Sequence, residues 1–194
     1  MSEADGKAEQ AALEDLGYSQ EWLRSGILDR QLLAEQHERF RGGGSRRIAK
    51  YRSEALGTWL SGSGPIDEAQ LEACLSLIGA DPDAKLGQTA LAALIQSPRI
   101  SLKQLERIAQ SDPKVMRRHE PLIRRTYLTR RLDAGVTDEL LAQVIEFQEA
   151  AIQTALIRDA RLSRKQAELL AKRGANPTIR KQAQAWFQDR KSWK

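Results

Sequence analysis

One six-residue phrase recurs five times along the chain, and a repeat of this kind obliges each unit to bury itself against its neighbours. The phrase runs aliphatic residue, capping residue, two variable positions, Leu or Gln, apolar residue. Its first three copies are Leu28-Asp29-Arg30-Gln31-Leu32-Leu33, Ile66-Asp67-Glu68-Ala69-Gln70-Leu71 and Ile100-Ser101-Leu102-Lys103-Gln104-Leu105. Val136-Thr137-Asp138-Glu139-Leu140-Leu141 and Leu162-Ser163-Arg164-Lys165-Gln166-Ala167 complete the series. Asp, Ser or Thr at the second position can accept a hydrogen bond from a backbone N–H that the first helical turn leaves unpaired. The aliphatic residue before it can staple against that turn. Apolar residues then return at helical spacing, as in Leu71, Cys74, Leu75 and Ile78, so each phrase predicts a helix with one buried face.

A second helix is predicted in most units by an Asp or Asn followed by Pro, at Asp81-Pro82, Asp112-Pro113 and Asn176-Pro177. Pro suits the first helical position because the N–H it lacks had no partner there. The phrases begin at residues 28, 66, 100, 136 and 162. That spacing accommodates one helical hairpin per copy. The fourth unit has no such Pro, only Phe147-Gln148-Glu149 where the turn should fall, so its second helix is expected to be short or merged with the first. The first unit uses Gly42-Gly43-Gly44-Ser45 as its turn.

These units resemble HEAT-like and leucine-rich-variant α-solenoids, whose repeats pair two helices and often carry Pro and Arg near the start of the second. Asn176-Pro177-Thr178-Ile179-Arg180 matches best, with Asp112-Pro113-Lys114-Val115-Met116-Arg117 next. The resemblance spans residues 28–194 and implies an all-α, right-handed α-solenoid of about five hairpins with no sheet. Around it, residues 1–17 are expected to be a mobile or frayed segment. Residues 18–61 would form an N-terminal helical cap, with Trp22 and Leu23 in a short covering helix, plus the first hairpin. Residues 66–194 would form a four-unit array, and the breaker Leu60-Ser61-Gly62-Ser63-Gly64-Pro65 either sets that array off or is a long loop between repeats.

Composition agrees with helix and limits the function classes. Six Pro and 13 Gly interrupt a background of good helix formers among 194 residues. The single Cys74, within an apolar run, can make no intramolecular disulfide and reads as core. No stretch approaches the roughly 20 apolar residues that span a bilayer, and the acidic start lacks the features of a signal peptide. A cytoplasmic setting without membrane contact is the expectation. Charge is divided unevenly: residues 1–99 carry 11 Lys and Arg against 15 acids, residues 100–194 carry 20 against 11.

No glycine-rich phosphate loop, metal-spaced His pair or nucleophile set appears in the sequence. His37 reads as a solvated helix residue and His119 as a surface residue or helix end. The clearest constellation is basic. If residues 113–132 form one helix, Arg117, Arg124 and Arg131 stand within about 40° of one another at 100° per residue, an arginine stripe along a solvent face. Arg118 and Arg125 flank it, and Arg180 and Lys181 add charge in the last unit beside Arg164, Lys165, Lys172, Arg173, Arg190, Lys191 and Lys194. Pro121 could break that helix. Trp186 is expected in the core and Trp193 on the surface. The same basic residues would also serve simple solvation.

The function these features predict is a non-enzymatic adaptor or scaffold that binds a protein partner, acidic or extended, through a groove with a basic C-terminal half. The partner-binding residues would be Arg117, Arg118, Arg124, Arg125, Arg131, Arg180 and Lys181. Nucleic-acid binding through the arginine stripe and the basic last repeat is the alternative. A third reading, a HEAT-like DNA glycosylase, follows from the resemblance only, and its catalytic residues map to no definite positions here. No cofactor or catalytic residue is implied. The oligomeric state is left open.

Overall fold

A computed structural model describes residues 3–110, 113–158 and 162–189. Among them the chain is all-α, with twelve helices and no strand. It divides into two compact units, Met1–Ile108 and Ala109–Lys194.

The first unit contains α1 (Glu3–Asp15), α2 (Glu21–Arg24), α3 (Arg30–Arg41), α4 (Ile48–Leu60), α5 (Glu68–Ala80), α6 (Ala84–Gln96) and most of α7 (Leu102–Gln110). Residues 3–15 form α1, which packs on α3 and buries Ala12, Leu13 and the following Leu16. Their spacing makes one apolar edge, and a Glu9–Arg30 ion pair and an Asp15–His37 hydrogen bond hold the polar flanks at 2.6 and 2.8 Å. His37 is therefore partnered rather than simply solvated. The short covering helix is α2, with Trp22 buried and edge-on to Tyr18 at 5.0 Å between ring centres. Helix α4 packs on α6, and α5 packs on α6.

The second unit contains α8 (Pro113–Ala134), α9 (Asp138–Phe147), α10 (Ala150–Arg158), α11 (Arg164–Arg173) and α12 (Pro177–Asp189). Its core joins Leu128 and Leu132 of α8 to Leu141, Val144, Leu156, Leu170 and Ile179, with Trp186 packed at the edge. First helices meet first helices and second meet second, α9 on α11 and α10 on α12. Helix α10 is short, as expected, but separate from α9, because Gln148 ends α9 in the left-handed conformation at φ 56°.

All five phrases cap their helices as the sequence implies. The side chains of Asp29, Asp67, Ser101, Thr137 and Ser163 accept from the amides of Leu32, Gln70, Gln104, Leu140 and Gln166 at 2.7–3.3 Å. Of the predicted second-helix caps, Asn176 accepts from the Ile179 amide at 2.9 Å, while Asp112 lies outside the described residues. Asp81 does otherwise: α6 is capped by Asp83, and Asp81 makes a bidentate pair with Arg52 at 2.8 and 3.1 Å. Both of those side chains are buried, at 6% and 1% exposure.

The third hairpin is split between the units, because α7 is tied back to Ile66 by Gln104 and to α5 by Arg107, whereas Leu128 and Leu132 commit α8 to the second core. The Leu60–Pro65 breaker lies inside the first unit, as a loop between α4 and α5. Arg99 spans that segment, donating to the carbonyls of Trp59 and Gly64 and lying 5.3 Å over the Trp59 ring.

Candidate functional site

The glutamine at the fifth position of the phrase has two jobs. In Gln104 and Gln166 the side-chain oxygen accepts from the amide of the capping residue, completing a capping box. The side-chain nitrogen then donates to the first-position carbonyl of the preceding phrase. Gln104 reaches Ile66 at 2.8 Å and Gln166 reaches Val136 at 3.2 Å, with a further bond to Asp138 at 3.0 Å. The starts of two successive phrases are thus tied together by one side chain, once in each unit. Exposed ion pairs follow the same path: Arg107 bridges to Glu68 and Glu72, and Lys165 to Asp138.

The arginine stripe is only partly a solvent face. Helix α8 runs through Pro121 without a break. Its buried side turns over on the way. His119 and Ile123 are buried on one side, and Leu128 and Leu132 are buried about 180° around the axis. The row Arg117, Arg124, Arg131 therefore starts exposed and becomes half-buried where Leu128 and Leu132 lie beside it. Arg124 stacks 5.0 Å over Phe147, and Arg131 stacks 5.6 Å over Tyr127. Arg125 pairs with Glu149 at 3.2 Å. Burial lowers the pKa of the neighbouring Arg130 guanidinium.

On α12, Arg180 donates to the Gly174 carbonyl at 2.8 Å, closing the end of α11, and Lys181 is exposed. Of the seven residues nominated from sequence, Arg124, Arg125, Arg131 and Arg180 have partners within the chain, and Arg117, Arg118 and Lys181 face solvent. Arg190, Lys191, Trp193 and Lys194 lie outside the described residues. His119 is a correction: it is buried, not at the surface, and burial followed by the nearby Arg118 holds its pKa below the ordinary imidazole value.

Two features were not singled out by sequence reasoning. One is an open groove of about 660 Å³ between α1 and α3, floored by Ala8, Ala12, Leu33 and Ala34, whose rim residues Arg30 and His37 are already paired. The other is the α3–α4 turn, where Arg41, Arg46, Arg47 and Lys50 are all exposed. Its signal was available as a run of cations without an acid from residue 39 to residue 53. Among the described residues, no group of three or more His, Cys, Asp or Glu could hold a metal ion, and no helix is long and apolar enough to cross a membrane.

The class the fold defines is an all-α, multi-helix protein of capped and packed helix pairs. No family model, no curated protein and no solved structure matches the chain.

Proposed function

We propose that this protein is a non-enzymatic adaptor whose helical repeats stack in the manner of a right-handed HEAT-like α-solenoid and bind a protein partner. The observation that carries the reading is the repeated glutamine bridge, Gln104 to Ile66 and Gln166 to Val136, which uses the same atoms of the phrase in both units. A device that sets register between neighbours is what a stacked-repeat scaffold needs, and such scaffolds bind through extended surfaces rather than one enclosed pocket. Exposed Arg117, Arg118 and Lys181 give the second unit cations with no acid paired to them among the described residues, suited to an acidic or extended partner. The half-buried Arg124, Arg131 and Arg180, and the exposed Arg125 already paired with Glu149, would shape that surface more than contact the partner. Unpaired, buried Cys74 suits a reducing, cytoplasmic setting.

The test is capture of partners by the full chain from a lysate, compared with Arg117→Glu/Arg118→Glu/Lys181→Glu. A protein retained by wild type and lost by the triple variant supports the reading, and identical capture sinks it. Nucleic-acid binding by the same cations is the second reading, favoured by the exposed adjacent pair Arg117 and Arg118. If wild type binds oligonucleotide with steep salt dependence and the triple variant does not, that second reading takes its place.

A further inference from the structure

We propose that the α3–α4 turn is a separate contact site for the phosphate backbone of duplex nucleic acid. Residues 1–99 are acidic overall, yet five of their eleven cations, Arg39, Arg41, Arg46, Arg47 and Lys50, fall in a twelve-residue segment that contains no acid. Arg39 is engaged, pairing with Glu54 at 2.8 Å and lying over Tyr51. Arg41, Arg46, Arg47 and Lys50 are exposed. Arg46, Arg47 and Lys50 crowd the start of α4, the positive end of the helix, where cations are disfavoured. Folding alone does not reward that arrangement. A polyanion does, by relieving the repulsion among the four.

The turn is also built to hold its shape. The amides of Gly42, Gly43 and Gly44 bond to the carbonyls of Glu38, Phe40 and Arg39 at 2.8, 3.3 and 2.8 Å. A Cβ at Gly44 would stand 2.5 Å from the Arg39 carbonyl oxygen and 2.9 Å from the Tyr51 hydroxyl, so this position requires glycine. The cations are thus presented from a tight, fixed turn, with three arginine forks that suit phosphate oxygens.

The occupant follows from what flanks the cluster. Phe40 and Tyr51 are packed edge-on against each other at 6.2 Å and Tyr51 is buried, so neither offers a platform for stacking unpaired bases. Phe40 and Ile48 are only partly exposed, and no apolar edge is available to enter a lipid surface. What is left is charge recognition, and a duplex presents phosphates at the higher linear density. This site lies in the first unit and is independent of the α8 and α12 surface proposed above.

The experiment is fluorescence anisotropy of the full chain with a labelled 20-base-pair DNA duplex and the matching single strand between 50 and 200 mM salt. Four phosphate contacts predict a slope of log affinity against log salt of about −3.6, or roughly a 150-fold loss across that range. Arg41→Gln/Arg46→Gln/Arg47→Gln/Lys50→Gln should flatten the slope by that amount, and Arg46→Gln or Arg47→Gln alone by about 0.9 each, with unchanged helical circular dichroism. The charge-keeping variant Arg41→Lys/Arg46→Lys/Arg47→Lys should retain the slope. Should the quadruple variant unfold, the two single variants decide. Absence of wild-type binding at 50 mM salt, tighter binding of the single strand, or slopes unmoved by these changes would overturn the proposal. A slope that falls only in Arg117→Gln/Arg118→Gln would overturn it too, in favour of α8.

Discussion

Replacing Gln104 by Leu separates the two jobs of the phrase glutamine. Gln104 is 4% exposed, so its loss leaves the carbonyl of the buried Ile66 without its donor. A buried acceptor stranded in this way costs about 1–3 kcal/mol. The Ser101 amide also loses its partner, but Ser101 is exposed and water replaces the bond. Steric strain should be small, since Leu140 occupies the same phrase position in the fourth copy. The net expectation is a destabilisation of about 2 kcal/mol. Gln70 supplies the control: it forms the capping box, through Asp67, with no bridge to a preceding phrase, and is half-exposed. Gln70→Leu should cost only about 0.5–1 kcal/mol, the low end for a capping loss, because the Asp67 side chain still accepts from the residue 70 amide. Urea unfolding should be followed in a Trp186→Phe/Trp193→Phe background, so that the remaining tryptophans, Trp22 and Trp59, report on the first unit. Equal costs for the two variants would refute the bridge as a stabilising interaction between the two helix starts.

Three further outcomes follow from the same geometry. Arg52→Met, which strands the buried Asp81 carboxylate, should destabilise the first unit by about 3–5 kcal/mol in urea unfolding, and pairing it with Asp81→Asn should recover part of that loss. Burial pushes the Cys74 thiol up to about 12 from its ordinary 9.0. The unfolded chain therefore ionises first as pH rises, and the stability this thiol contributes, fully present below pH 9.0, is lost progressively above it. Cys74→Ala should flatten that alkaline decline in urea midpoints measured against pH, and the native thiol should resist Ellman's reagent at pH 8 until urea is added. His119 has the opposite sign: with its folded pKa depressed, the unfolded chain takes the proton first as pH falls below about 6.5, so stability present above that pH is lost toward the folded value. His119→Gln should remove this acid-side slope, and an unaltered profile would contradict the burial of the ring.

What the sequence by itself determined is local. Whether Asp29, Asp67, Ser101, Thr137 or Ser163 caps a helix depends on an amide three residues away, so the phrase specified five helix starts before any packing was known. The same is true of Asn176 ahead of α12, of the short α10, and of Cys74 within an apolar face. The tertiary structure decided everything that depends on a distant partner. Asp81 looked like a cap ahead of Pro82, but Arg52, 29 residues earlier in the chain, claims its carboxylate. Residues 3–15 are polar and small in sequence, and it is α3 that offers them Arg30, His37 and a face for Leu13. The arginine row looked solvated because its 100° periodicity was read on α8 alone. Leu128 and Leu132 turn the later half of that row toward a core assembled from α9 to α12, and a helix's own sequence does not say which of its sides a neighbour will cover.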